Sequence, residues 1–86
     1  MTEPLGDREP LVMYSTTWCG YCLRLKAQME RENIPFTIVD IERDASAAAF
    51  VEHNNHGNRT VPTVLFPDGS VLTNPPIGAV RARMHP

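Results

Sequence analysis

Cys19 and Cys22 are the only cysteines of this 86-residue chain, and they stand three residues apart in Trp18-Cys19-Gly20-Tyr21-Cys22. On a helix, residues at i and i+3 lie about 5–6 Å apart between Cβ atoms, and a disulfide spans Cα atoms about 4.4–6.8 Å apart, so the pair can close and reopen with little backbone movement. The chemistry this spacing offers is reversible thiol–disulfide exchange. Cys19 falls where a helix is expected to begin, beside unpaired backbone N–H groups and the positive end of the helix dipole. Both favour thiolate over thiol, which makes Cys19 the expected nucleophile. Cys22, inside the first turn and more covered, is expected to wait and then attack a mixed disulfide formed on Cys19, a resolving role.

Two blander readings compete: inert core thiols, or half of a zinc site. The nearest other ligands, His53 and His56, lie too far downstream for the usual finger spacing, so they are expected to decorate the end of a helix, and no metal site is expected. Two cysteines this close cannot staple a secreted scaffold, and the polar start of the chain has no apolar run, so a cytoplasmic, thiol-reducing setting is expected. The chain has a formal charge of −2, no basic cluster and no run of membrane-spanning length, so neither nucleic acid nor a membrane is an expected partner. Its length and 42% apolar content suit one small domain over residues 11–86, preceded by a flexible tail over 1–10.

The elements that must hold the cysteines follow from periodicity. Leu11-Val12-Met13-Tyr14 reads as a buried strand feeding the cysteine loop. From Cys22 to about Asn33, Cys22, Leu25 and Met29 recur at helical spacing, Arg24, Lys26, Gln28, Glu30 and Arg31 mark a wet face, and Asn33-Ile34-Pro35 is the stop. Residues 36–41 predict a second strand. Asp44 is the expected N-cap of a helix over 45–52 that ends in the polar run 54–58. Residues 63–66 and 71–73 predict strands joined by Pro67-Asp68-Gly69-Ser70, and a short helix follows Asn74-Pro75-Pro76 to about Met84. The order β-α-β-α-β-β-α gives a parallel pair through the first crossover and an antiparallel hairpin at the end, a mixed sheet that needs helices on both faces.

A strand, then Trp18-Cys19-Gly20-Tyr21-Cys22 opening a helix, then Thr60-Val61-Pro62 before the third strand resembles the glutaredoxin branch of the thioredoxin fold over roughly residues 11–84. The resemblance implies an α/β thioredoxin fold with a four-stranded mixed sheet. It also implies a cis Val61-Pro62 bond lying against the nucleophile, with the Val61 backbone aimed at an extended thiol substrate. Two departures stand out. Glutathione-using members usually carry Lys where this chain has Thr16, and a Gly-Gly pair followed by Asp where it has Thr73-Asn74-Pro75-Pro76-Ile77. With Asn58-Arg59-Thr60-Val61-Pro62 and Leu72-Thr73-Asn74-Pro75, the sequence resembles the mycoredoxins, which reduce mycothiol mixed disulfides on proteins.

That resemblance implies an enzyme with no bound cofactor. Mycothiol would be its co-substrate reductant, regenerated by an NADPH-linked reductase, and its partners would be mycothiol and mycothiolated proteins, met as a monomer. Substrate contacts are expected at Trp18, Gly20, Tyr21, Arg59, Thr60, Val61, Pro62, Thr73 and Asn74, with Thr16 a further hydroxyl. Tyr21 either packs at the helix start or flanks the groove, and Trp18 divides the same way, its groove role being to offer protein substrates an apolar contact. Arg59 is either a solvated loop charge or a cation near Cys19, and Asp40 either simply ends its strand or is a buried proton-transfer acid. The rival functions are an electron donor to ribonucleotide reductase reduced by thioredoxin reductase, and an iron–sulfur scaffold or carrier.

Overall fold

The computed structural model describes residues 9–84, so residues 1–8 of the expected tail and the last two residues of the expected domain lie outside it. Seven elements follow in the expected order: β1 Leu11–Ser15, α1 Gly20–Arg31, β2 Phe36–Asp40, α2 Ala45–Asn54, β3 Thr63–Leu65, β4 Val71–Thr73 and α3 Ile77–Met84. The sheet runs β2-β1-β3-β4, with β1 parallel to β2 and antiparallel to β3, and β3 antiparallel to β4.

Alternation along β1 divides the core. Leu11 and Met13 point to one face, where Leu25 and Met29 of α1, Val64 and Phe66 of the hairpin, and Val80 and Met84 of α3 complete a buried cluster. Tyr14 packs on the other face with Ile41, Ala47, Ala48 and Val51 under α2, its ring centroid 5.0 Å from that of Phe50. Helices therefore cover both faces. Among the described residues no helix is long and apolar enough to cross a membrane.

Helix ends are set by local chemistry. Asp44 Oδ1 accepts from the Ser46 and Ala47 amides, as an N-cap does. At the end of α1, Asn33 adopts a left-handed φ of 57°, and the Ile34 and Asn33 amides donate to the carbonyls of Met29 and Glu30. This is a Schellman closure in which buried Ile34 and Met29 meet. Several boundaries differ from expectation: β1 runs on to Ser15 and α2 to Asn54, while α1 stops at Arg31 and β2 at Asp40. The first helix begins at Gly20, because Cys19 itself caps it, and β3 stops at Leu65, because the Phe66 amide is turned to the Ser70 carbonyl at 2.8 Å inside the 67–70 turn.

Candidate active site

Cys19 closes the gap between β1 and α1 as the N-cap residue, with extended backbone (φ −89°, ψ 112°) and its sulfur accepting from the Cys22 amide at 3.2 Å. The cap thus leaves a reactive atom at the head of the helix, held by one of the N–H groups that has no partner inside the helix. As a thiol, Cys19 Sγ donates to the Val61 carbonyl at 3.8 Å. Both cysteines are free and largely covered, at 6% exposure for Cys19 and 3% for Cys22. Burial pushes the Cys22 thiol up to about 12, reinforced by its hydrogen bond and charge interaction with Cys19 and opposed by a backbone hydrogen bond from Thr16.

The loop facing Cys19 is fixed from behind. Val61-Pro62 is cis, as the Thr-Val-Pro resemblance implied, and Pro62 is buried. The Thr63 hydroxyl donates to the Thr60 carbonyl at 2.7 Å and accepts from Asn55 Nδ2 at 3.1 Å. Asn55 Oδ1 in turn accepts from the Thr73 hydroxyl at 2.6 Å, and the Asn74 amide donates to the Pro62 carbonyl at 2.7 Å. The end of α2, the cis-proline loop and the end of β4 are therefore tied into one support for the Val61 backbone.

Two clefts flank the cysteine turn. One, of about 340 Å³, is lined by Tyr21, Arg24, Leu25 and Gln28 of α1 and by Asn74, Pro75, Pro76 and Ile77 at the entry to α3. The other, of about 300 Å³, lies beside Cys22 and is lined by Thr16, Thr17, Lys26, Ile38 and Asp40 among others. The Thr16 hydroxyl is buried there with no hydrogen-bond partner among the described residues.

Several sequence expectations find their place, and some are revised. Gly20 is the exposed first residue of α1, and Thr60 is exposed beside Val61. Tyr21 is 62% exposed and lines the first cleft, so it does not serve as packing at the helix start. Trp18 is 71% exposed, with its indole N–H donated to Glu42 Oε2 at 3.1 Å. Arg59 is engaged by Glu52 at 2.6 Å on the surface, the loop-charge alternative. Thr16 is buried beside Cys22 and does not line the Tyr21 cleft, and the Thr73 hydroxyl already serves Asn55. Asp40 is not fully buried: it accepts from the Glu42 amide at 2.9 Å and pairs with Arg43 at 3.7 Å. Among the described residues no group of three or more His, Cys, Asp and Glu side chains is placed to hold a metal.

Arg24 and Gln28, expected on the wet face of the helix, form a wall of the first cleft. Tyr21, Arg24, Leu25 and Gln28 stand at i, i+3, i+4 and i+7, so the sequence puts them on one face of α1 without showing what lies opposite that face.

Comparison with known proteins agrees with this geometry. The glutaredoxin family model matches residues 11–71. A Mycobacterium tuberculosis H37Rv protein bearing a provisional glutaredoxin name is 54% identical over 74 residues, covering 86% of this chain and 88% of the relative. Mycoredoxin 1 of Corynebacterium glutamicum is 35% identical over 75 residues, covering 87% and 92%. In fold, the chain superposes on the glutaredoxin of Archaeoglobus fulgidus with a TM-score of 0.69 at 18% identity, over 100% and 98% of the two chains.

Proposed function

We propose that this chain, which belongs to the glutaredoxin family and is a thiol–disulfide oxidoreductase of that kind, works with mycothiol and removes it from protein thiols. The Cys19 thiolate attacks the mycothiol sulfur of a protein–mycothiol mixed disulfide. That S–S bond breaks, the protein leaves as its thiolate, and Cys19 carries mycothiol through a new disulfide. A second mycothiol can then attack the carried mycothiol sulfur, returning the Cys19 thiolate and leaving mycothiol disulfide for an NADPH-linked reductase. Alternatively Cys22 gives up its proton and attacks Cys19 Sγ, which expels mycothiol and leaves a Cys19–Cys22 disulfide. A thiol held at about 12 is rarely ionised near neutrality, which favours the direct route while keeping the second one open.

The roles follow from position. Val61, on its cis-proline loop, offers backbone groups to the extended thiol, Gly20 and Thr60 adjoin Cys19 and Val61 in the chain and are exposed for substrate contact, and exposed Trp18 offers a protein substrate an apolar contact. The reading carries with it a reducing cytoplasmic setting and a monomer acting alone.

The observation that carries mycothiol over glutathione is the far end of the Tyr21 cleft. There Asn74-Pro75-Pro76 supplies an amide side chain but, at both prolines, no backbone N–H for a carboxylate. Mycothiol joins its cysteine to an amino-sugar and inositol and asks for uncharged hydrogen-bond partners instead. The mycoredoxin relative supports the same choice. The test compares turnover of one substrate protein carrying either thiol, with mycothiol and its reductase, glutathione and its reductase, or thioredoxin reductase alone. Turnover is expected to be best with mycothiol; equal or better efficiency with glutathione, or full activity with thioredoxin reductase alone, refutes the assignment.

A further inference from the structure

The cleft of about 340 Å³ starts two residues beyond Cys19, at Tyr21, and runs along α1 past Arg24 to Gln28. Its opposite wall is Asn74-Pro75-Pro76, which the Asn74 amide fastens to the Pro62 carbonyl of the loop facing the sulfur. Cys19 itself does not line the cleft, but Tyr21 at its near end is two residues from the sulfur, within reach of the remainder of a thiol bonded there. The volume falls at the lower end of the roughly 300–1,000 Å³ usual for small-molecule sites.

The lining is chemically uneven. Tyr21, Arg24, Gln28 and Asn74 present a phenol, a guanidinium and two amides, and none of these side chains has a hydrogen-bond or ion-pair partner among the described residues. Arg43, Arg59 and Arg81, by contrast, are paired with carboxylates. Beside these donors and acceptors the lining is apolar, from Leu25, Pro75, Pro76 and Ile77. A lining that mixes mostly uncharged hydrogen-bonding groups with apolar side chains suits a ligand with hydroxyls at its rim and C–H groups on its faces, a sugar or a cyclitol. An anionic group is served less well, since one guanidinium faces it and the prolines remove two backbone donors.

We propose that the sugar and cyclitol end of the small thiol lies in this cleft, with Arg24 and Gln28 of α1 as specificity-determining contacts. The proposal rests on the mycothiol reading, and its test separates the two. Arg24→Ala/Gln28→Ala removes the wall while leaving Cys19, Cys22 and the cis-proline loop intact. Two hydrogen bonds of ordinary net strength correspond to a KM at least about tenfold higher for a mycothiolated peptide, with kcat within about twofold. A truncated thiol that keeps the cysteine and amino-sugar but lacks inositol completes a cycle: removing inositol should raise KM for the wild type and change little for the double variant. Arg24→Gln keeps hydrogen bonding without charge and is expected to retain most of the discrimination.

If the wild type prefers mycothiol but the double variant keeps both its KM and its sensitivity to truncation, the cleft assignment is overturned and the mycothiol reading stands. If the wild type shows no preference for mycothiol over glutathione, the mycothiol reading itself fails. Loss of glutathione turnover by tenfold or more in Arg24→Gln shows a carboxylate in the cleft and also overturns the proposal. Both residues lie on the surface of α1, and unchanged thermal unfolding of the variants confirms that an altered KM reports the cleft.

Discussion

Replacing Cys19 by serine leaves Cys22 as the only thiol and keeps a residue type that caps helices well. In the native chain burial, aided by Cys19, holds the Cys22 thiol at about 12. At pH 7 this is a thiolate fraction on the order of 10⁻⁵, against about 3% for an ordinary cysteine near 8.5, a ratio of about 3,000. Serine removes the charge contributed by Cys19 but leaves burial, the largest cause, so a deficit of at least ~100-fold is expected to remain. The assay is the initial rate of alkylation of Cys19→Ser by iodoacetamide at about pH 7, beside an unstructured cysteine peptide, followed by mass. Denaturant should restore the ordinary rate. Cys22→Ser, with its single thiol at the helix head, should react faster than Cys19→Ser. A native Cys19→Ser rate within tenfold of the peptide refutes the claim that burial silences Cys22, and a Cys22 that outpaces Cys19 puts the two roles the wrong way round.

The raised Cys22 value also sets a pH dependence. Its contribution to stability is full below the unfolded value of about 8.5 and is lost as pH climbs from there toward about 12, so reduced wild type should lose more stability than Cys22→Ser between about pH 7.5 and 10 in urea unfolding. Parallel losses would count against it. Thr63→Val removes a buried hydroxyl that bonds both Thr60 and Asn55 and should cost about 1–3 kcal/mol in the same measurement; a loss under about 0.5 kcal/mol would show that this support is idle. Trp18→Ala should slow turnover of a modified protein while a small mixed disulfide is processed within about twofold of wild type. An equal loss on both substrates would place Trp18 in the chemistry rather than in protein contact.

Residues whose surroundings are local were legible from the sequence. Cys19 and Cys22 declare their spacing, Asp44 its cap, and alternating Leu11 and Met13 their buried face, because each depends on neighbours within a turn or a strand. Residues whose partner is distant in sequence were not. Nothing near Arg59 announces that Glu52 holds it, and nothing near Thr16 announces that its hydroxyl is enclosed beside Cys22. Arg24 and Gln28 carry polar side chains at solvent spacing, which look the same in sequence whether they face open water or a cleft closed by prolines some fifty residues on. The end of β3 departs from its expected place for a related reason: Phe66 is apolar and buried like a strand residue, but its amide is spent inside the turn.

The sulfur proposed to carry the small thiol is also the atom that terminates α1. The Cys22 amide binds it most strongly when it bears charge, and a sulfur locked in a disulfide bears none. Reciprocity then runs from bond to fold: whatever the helix gains from the free sulfur it forfeits while Cys19 is loaded, and whatever it forfeits it recovers when the load departs. Cargo on this residue is held against the preference of the helix beneath it. Such a carrier is biased toward handing on what it takes, and that bias is written into the first hydrogen bond of α1.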